Sequence, residues 1–335
     1  MRTRIILTLK QHRFETVAIT VLCLGVGIAA LVEAWRLNSL NFPTSCLMGG
    51  RVPYYFNAAP TACVLASQRF NDMANGTDMS FVRMFEQILP FIAGIVMGVP
   101  IVASEIETGT APLSWALAGS RVRWLLGKML AVILLLVPLL VFVGLAADAL
   151  QGAMAPGLDP HASFDYYAAR GVFMVFWGLA AFLGTVALST IFGRTMPAIM
   201  VALFLCVFAR GLWELSWSHT LLRQFAVLGD QNTYGTPDLW VYQTDELYLN
   251  GQVWTGDINL WYEQHAFFGP TPDASGVVPN FVEPVDPGPP PEPKTYVIHG
   301  DQYWLVAAVQ NAVLLAGSLF CAAIALMWVG RRKPY

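Results

Sequence analysis

"MLAVILLLVPLLVFVGLAA", residues 129–147, carries no charged or amide side chain. As an α-helix rising 1.5 Å per residue, this run would cover most of the ~30 Å hydrocarbon core of a bilayer. The stretch before it, "SEIETGTAPLSWALAGSRVRWLLGK" (residues 104–128), has charges at its two ends and small residues between. Before that comes another apolar run, "QILPFIAGIVMGVPIVAS", at residues 87–104. Two spans joined by one compact polar loop is the pattern from which the rest of the chain can be read.

Further spans are expected at residues 16–32, 171–193, from about Thr195, and at 303–330, six in all. The fifth is the weakest, because Arg210 enters after a short run. Over the 335 residues, 56% are hydrophobic and 12% charged, whereas soluble domains carry about 25% charged residues. Backbone groups in lipid must be satisfied within each segment, so the spans are read as helices, and no alternating barrel pattern is present. The expected class is therefore an all-α integral membrane protein. The net charge of −3 excludes a broadly basic surface for nucleic acid.

Basic residues in short loops set orientation. They fall in four groups: Arg2, Arg4, Lys10 and Arg13; Arg121, Arg123 and Lys128; Arg194; and Arg331, Arg332 and Lys333. Six spans put all four on one side, the cytoplasm, with both termini inside and a short tail at 331–335. Residues 1–15 fit an interfacial amphipathic helix and equally a basic topogenic tail. A signal peptide fits less well, since the apolar core is long and "LVEAW" is a poor cleavage site.

Two segments then face outward. Residues 36–86 are polar and turn-rich and hold Cys46 and Cys63, the two cysteines outside the apolar runs. An oxidising exterior permits a bridge between them. Asn75-Gly76-Thr77 matches a glycosylation acceptor, though an Asn–Gly turn is the ordinary reading. Residues 216–302 carry eleven acidic residues against Arg223 and Lys294, with Trp217, Trp240, Trp254 and Trp261. Aromatics at this density point to a small folded cap, and "EPVDPGPPPEPK" (283–294) to an extended strap leading back to the sixth span. The acidic face suits either cationic substrates or simple solvation.

Catalytic signatures are missing. No phosphate loop is present, since Gly119 and Gly127-Lys128 lack its spacing and Met129 stands where a hydroxyl is needed. The five histidines show no ligand spacing, and H-E-x-x-H, C-x-x-C and G-x-S-x-G are absent. Glu15, Glu33, Asp148 and Glu214 sit near span ends, and Arg210 and Glu214 are spaced to pair on a helix. A proton-coupled carrier would need titratable groups deeper in the membrane.

In residues 104–128, Glu105 and Glu107 close span two, Gly109 and Thr110 allow a turn with Thr110 as a helix cap, and Pro112 suits the first turn of a short helix. Both a docking element and an ordinary topogenic loop fit this spacing. The order acid-x-Glu-x-Gly-Thr, then Ser-Arg, then Gly-Lys resembles the cytoplasmic loop of ATP-binding-cassette exporter permeases of the type-2 class. It is carried here by Glu105, Glu107, Gly109, Thr110, Ser120, Arg121, Gly127 and Lys128, with Gly119 where the family shows Pro. "FGRTMPAIM" (192–200) is similar to that family's turn between spans four and five.

The resemblance implies that the loop at 105–128 is a coupling helix seated on a separate ATPase. It implies two such ATPases with two permease chains, as a homodimer or with a related chain, and a substrate pathway lined by spans two and five. ATP and Mg would bind the partner, with no cofactor on this chain. The setting would be a bacterial plasma membrane, with lipid as the other partner. A secondary carrier without ATPase, and a sensor or assembly factor with a ligand-binding cap, are the alternatives.

Overall fold

Six helices long and apolar enough to cross a membrane run through the computed structural model, which describes residues 11–47, 52–53, 61–216, 224–229, 239–249, 252–254 and 292–331. In order, the elements are α1 (Arg13–Ser39), α2 (Thr61–Ala74), α3 (Thr77–Glu107), α4 (Ala111–Ala118), α5 (Arg121–Met154), α6 (Gly171–Phe192) and α7 (Thr195–Ser216). Strands β1 (Val227–Gly229), β2 (Leu239–Leu249), β3 (Gln252–Trp254) and β4 (Glu292–His299) follow, and α8 (Tyr303–Arg331) ends the described chain. Helices α1, α3, α5, α6, α7 and α8 are the spans.

Small residues let these helices approach, as they do where lipid removes the hydrophobic drive for association. A Cβ on Gly94 would lie 2.5 Å from the Ala181 Cβ, and one on Gly98 would lie 2.9 Å from the Phe182 carbonyl oxygen. Thr185 fixes the same α3–α6 contact by donating its hydroxyl to the Gly94 carbonyl at 3.1 Å. Gly27 of α1 likewise admits the Phe142 ring of α5. The core that results runs from Ile19 and Cys23 through Met97, Leu136 and Leu140 to Phe182 and Val186.

The helices extend beyond the apolar runs. α1 starts at Arg13, so Arg13–Glu15 belong to the first span, and the rest of the expected interfacial helix lies outside the described residues. Residues 36–86 are less turn-rich than their composition suggests, because they hold α2 and the first ten residues of α3. Phe70, Ala74 and Met79 form an apolar face against Leu37 and Leu150, while the polar face dominates the composition. Asn75 and Gly76 make the turn between α2 and α3. Cys46 and Cys63 are disulfide-bonded, with Cα atoms 5.5 Å apart.

The all-α expectation holds for the spans and needs a correction between the fifth and sixth. There the strands form an antiparallel sheet in the order β1-β4-β2-β3, with Val227 opposite Val297, Trp240 opposite Ile298 and Tyr248 opposite Val253. The composition hides this because β2 and β4 pair across more than forty intervening residues. Glu292–Lys294 of the expected strap open β4, and the strap's remainder lies outside the described residues. Ile298 packs with Phe164, Phe173 and Tyr303, which seats the sheet on one end of the bundle.

Candidate functional site

α4 lies at the end of the bundle opposite the sheet. Two glycines bracket it: Gly109 at φ +71° before it and Gly119 at φ +76° after it. A side chain there would be strained by the left-handed backbone, whatever the space around it. Pro112 occupies the first turn, where its missing N–H costs nothing. Ala111 and Trp115, four apart, are buried together, with Trp115 only 9% exposed. Leu113 and Leu117, also four apart, face away and are 67% and 76% exposed.

Beneath α4 lies a buried polar latch. The Glu105 carboxylate oxygen Oε1 accepts from Gln11 Nε2 at 2.7 Å and from Lys128 Nζ. Lys128 also donates to the Ile101 carbonyl at 3.2 Å. Glu105 and Lys128 are both almost fully buried. A charge withdrawn from water needs such partners, because its desolvation penalty is on the order of several kcal/mol. The Lys128 ammonium lies 4.8 Å from the Trp124 ring, Trp124 meets Trp115 edge-on at 6.1 Å, and the Arg121 guanidinium lies 4.8 Å over Trp115. Burial, with Lys128 next in effect, pushes the nearby His12 imidazole below its ordinary value.

Glu107 points elsewhere. Its Oε2 accepts from the Thr195 backbone N–H at 3.0 Å and the Thr195 hydroxyl at 2.6 Å. Thr195 opens α7 just after Gly193, which ends α6 in the left-handed conformation. The loop after α3 is thus tied to the turn between the fourth and fifth spans.

Ser120 caps α5, accepting from the Arg123 N–H at 3.2 Å. Thr110 sits at the cap position of α4 but does not cap it: its φ is already helical, and its hydroxyl turns back toward the Glu105 carbonyl at 3.4 Å. Gly127 has open space around its Cα. Sequence reasoning missed Gln11, Trp115, Trp124 and Thr195 as partners. All four of Ala111, Leu113, Trp115 and Leu117 are apolar, so only the fold distinguishes the buried pair from the exposed one.

Between α3 and α7 lies a cavity of about 250 Å³, lined by Gln87, Phe91, Ile95, Leu203, Cys206 and Arg210. Arg210 lies 5.2 Å over the Trp177 ring. Its pairing with Glu214 falls on a side chain outside the described residues. Among the described residues, no three His, Cys, Asp or Glu side chains group as a metal site.

A family model described as "ABC-2 membrane transporter related" matches residues 16–217, which cover α1 to α7 and leave out the sheet and α8. No curated protein and no solved structure matches the chain.

Proposed function

The chain belongs to the ABC-2 membrane transporter related family, and from that premise we propose that it is the membrane subunit of an ATP-driven exporter. It works as a dimer with a second permease chain. Two copies of a separate ATPase bind ATP and Mg, and this chain carries no cofactor. The basic end of the bundle faces the cytoplasm of a bacterial cell, and the sheet faces outward. The cavity between α3 and α7 belongs to the substrate pathway.

One observation carries this reading: α4 is fixed by a buried latch yet presents Leu113 and Leu117 outward. Exposed apolar pairs on a rigid short helix suit insertion into a protein groove. Glu105 and Lys128 hold the base, Glu107 joins it to α7, and Arg121 lies against Trp115 in the same assembly. A push at α4 would therefore reach the second and fifth spans together. The test is whether a neighbouring gene encodes a phosphate-loop ATPase without membrane spans and whether that ATPase co-purifies with this chain, with substrate-stimulated ATP hydrolysis as the second readout. A chain that transports without that ATPase would overturn the reading.

A carrier reading draws on a different observation. Glu86 is buried on α3, and the buried Arg170 lies 3.8 Å from Asp148, so several ionisable groups are withdrawn from water at the sheet end of the bundle. Transport driven by a proton gradient in vesicles lacking ATP would favour it.

A further inference from the structure

A second cavity, of about 380 Å³, opens between α5, α6 and α8 near the sheet. Its volume falls within the range of roughly 300–1,000 Å³ common for small-molecule sites. The lining residues Leu145, Val172 and Trp304 are each more than half exposed on candidate membrane-spanning helices, so the opening has an apolar rim suited to lipid.

The end nearest the sheet is polar. Among the described residues, Asp148 Oδ1 accepts no hydrogen bond; it forms an ion pair at 3.8 Å with Arg170 Nη1, and Arg170 Nη1 and Nε are themselves buried without a hydrogen-bond acceptor. Arg170 is 1% exposed and is held from behind by its bond to the Ser163 carbonyl. Asn311 Oδ1, in the same cavity, is also buried and accepts nothing. His161 stacks on Trp304 at 5.1 Å and puts its Nε2 4.0 Å from Asp148 Oδ2. Gly171, at φ +56°, leaves room for the carboxylate: a Cβ there would lie 2.9 Å from Asp148 Oδ2.

We propose that this cavity binds one phospholipid with a primary-ammonium headgroup, drawn from the leaflet on the sheet side. Neither Asp148 Oδ1 nor Asn311 Oδ1 has a donor within hydrogen-bond distance among the described residues, Arg170 being held back at 3.8 Å, so both can take N–H groups, and an ammonium supplies three. A trimethylated headgroup has none to give, and Asp148 repels an anionic one. Because Arg170 already balances Asp148, a zwitterion fits better than a bare cation. Its phosphate then sits at the rim beside His161, whose side chain is 42% exposed. The acyl chain lies along Val141, Leu145 and Ala308.

The test is native mass spectrometry of the full chain in mixed micelles with equal amounts of phosphatidylethanolamine, phosphatidylcholine and phosphatidylglycerol. Phosphatidylethanolamine should be retained over the other two by roughly tenfold, the scale of one hydrogen bond to a charged group. Asp148→Asn should bring the three toward parity, Asn311→Leu should lower the preference in the same direction, and Ala308→Trp should expel all three. Monodisperse elution and an intact Cys46–Cys63 bridge check folding in each variant. Asn311→Leu decides the matter if Asp148→Asn fails that check. Equal retention of the three lipids by the parent, or parent-like retention in the folded variants, overturns the site. Displacement of the lipid by equimolar soluble phosphoethanolamine overturns the lipid assignment in favour of a soluble ligand.

Discussion

Oε2 of Glu107 accepts both the backbone N–H and the hydroxyl of Thr195, a residue 88 positions further along the chain. These two bonds link the end of the second span to the start of the fifth. Thr195→Val keeps the N–H and loses the hydroxyl, whereas Glu107→Ala loses both bonds. Substrate-stimulated ATP hydrolysis should fall on the order of twofold in the first and further in the second, in keeping with the modest net value of such bonds. ATPase co-purification should persist in both. Unchanged stimulation in Glu107→Ala would mean that this tie carries no coupling.

The Glu105–Lys128 pair should behave as a unit. Glu105→Ala leaves a buried ammonium with only a carbonyl partner, and losing one member of such a pair costs about 3–5 kcal/mol. The double variant Glu105→Ala, Lys128→Met removes both charges and should recover much of that loss. Thermal unfolding in detergent measures this, with Lys128→Met alone completing the cycle. Additive losses in the double variant would refute the pairing.

The bridge between Cys46 and Cys63, 17 positions apart, ties the segment after α1 to the first turn of α2. Closing a loop of this size stabilises by about 3 kcal/mol in the chain-entropy account. Peptide mapping without reduction should find the linked pair. Reduction or Cys46→Ala should lower the unfolding temperature while leaving the six spans inserted. Two alkylatable thiols in protein from its native membrane would contradict the bridge.

Gly98 lies where α3 meets α6, with no room for a Cβ beside Thr185 and the Phe182 carbonyl. Gly98→Leu should destabilise by at least the roughly 1–3 kcal/mol of ordinary overpacking, since backbone as well as side chains must shift. Gly184, with nothing within 4 Å of its would-be Cβ, is the control, and Gly184→Ala should not destabilise, because Ala is the better helix former.

Six spans were legible because runs such as residues 129–147 have a composition that no soluble helix needs. The helix ends were not, because past the bilayer the chain keeps helical form through two-faced packing. Met79 faces Phe70 and Leu37 while its neighbours are polar. The sheet escaped because its long pairing joins distant segments, with Val241 opposite Val297. In the loop, Glu105, Glu107, Gly109, Ser120, Arg121 and Lys128 stood out by residue type and order. Their partners did not, since only folding brings Gln11 and Thr195 to the two carboxylates.

Leu113 and Leu117 offer the sharpest test of the docking helix. Each is more than two-thirds exposed, so charge there should change neither insertion nor unfolding temperature appreciably. Buried apolar anchors dominate the binding energy of protein interfaces, and placing a carboxylate in a desolvated groove opposes association. Leu113→Asp, Leu117→Asp should therefore lower ATPase co-purification by roughly tenfold or more, and abolish substrate-stimulated hydrolysis with it. Gly109→Val should act on the same readouts by a different route, since the left-handed backbone at that position costs a β-branched residue about 1–3 kcal/mol and would tilt α4 off its latch. The leucine pair and the glycine thus probe the contact and its presentation separately. If both variants insert, capture the ATPase and transport like the parent, then α4 is no docking element, and the charged ends of residues 104–128 serve only to orient the chain in the membrane.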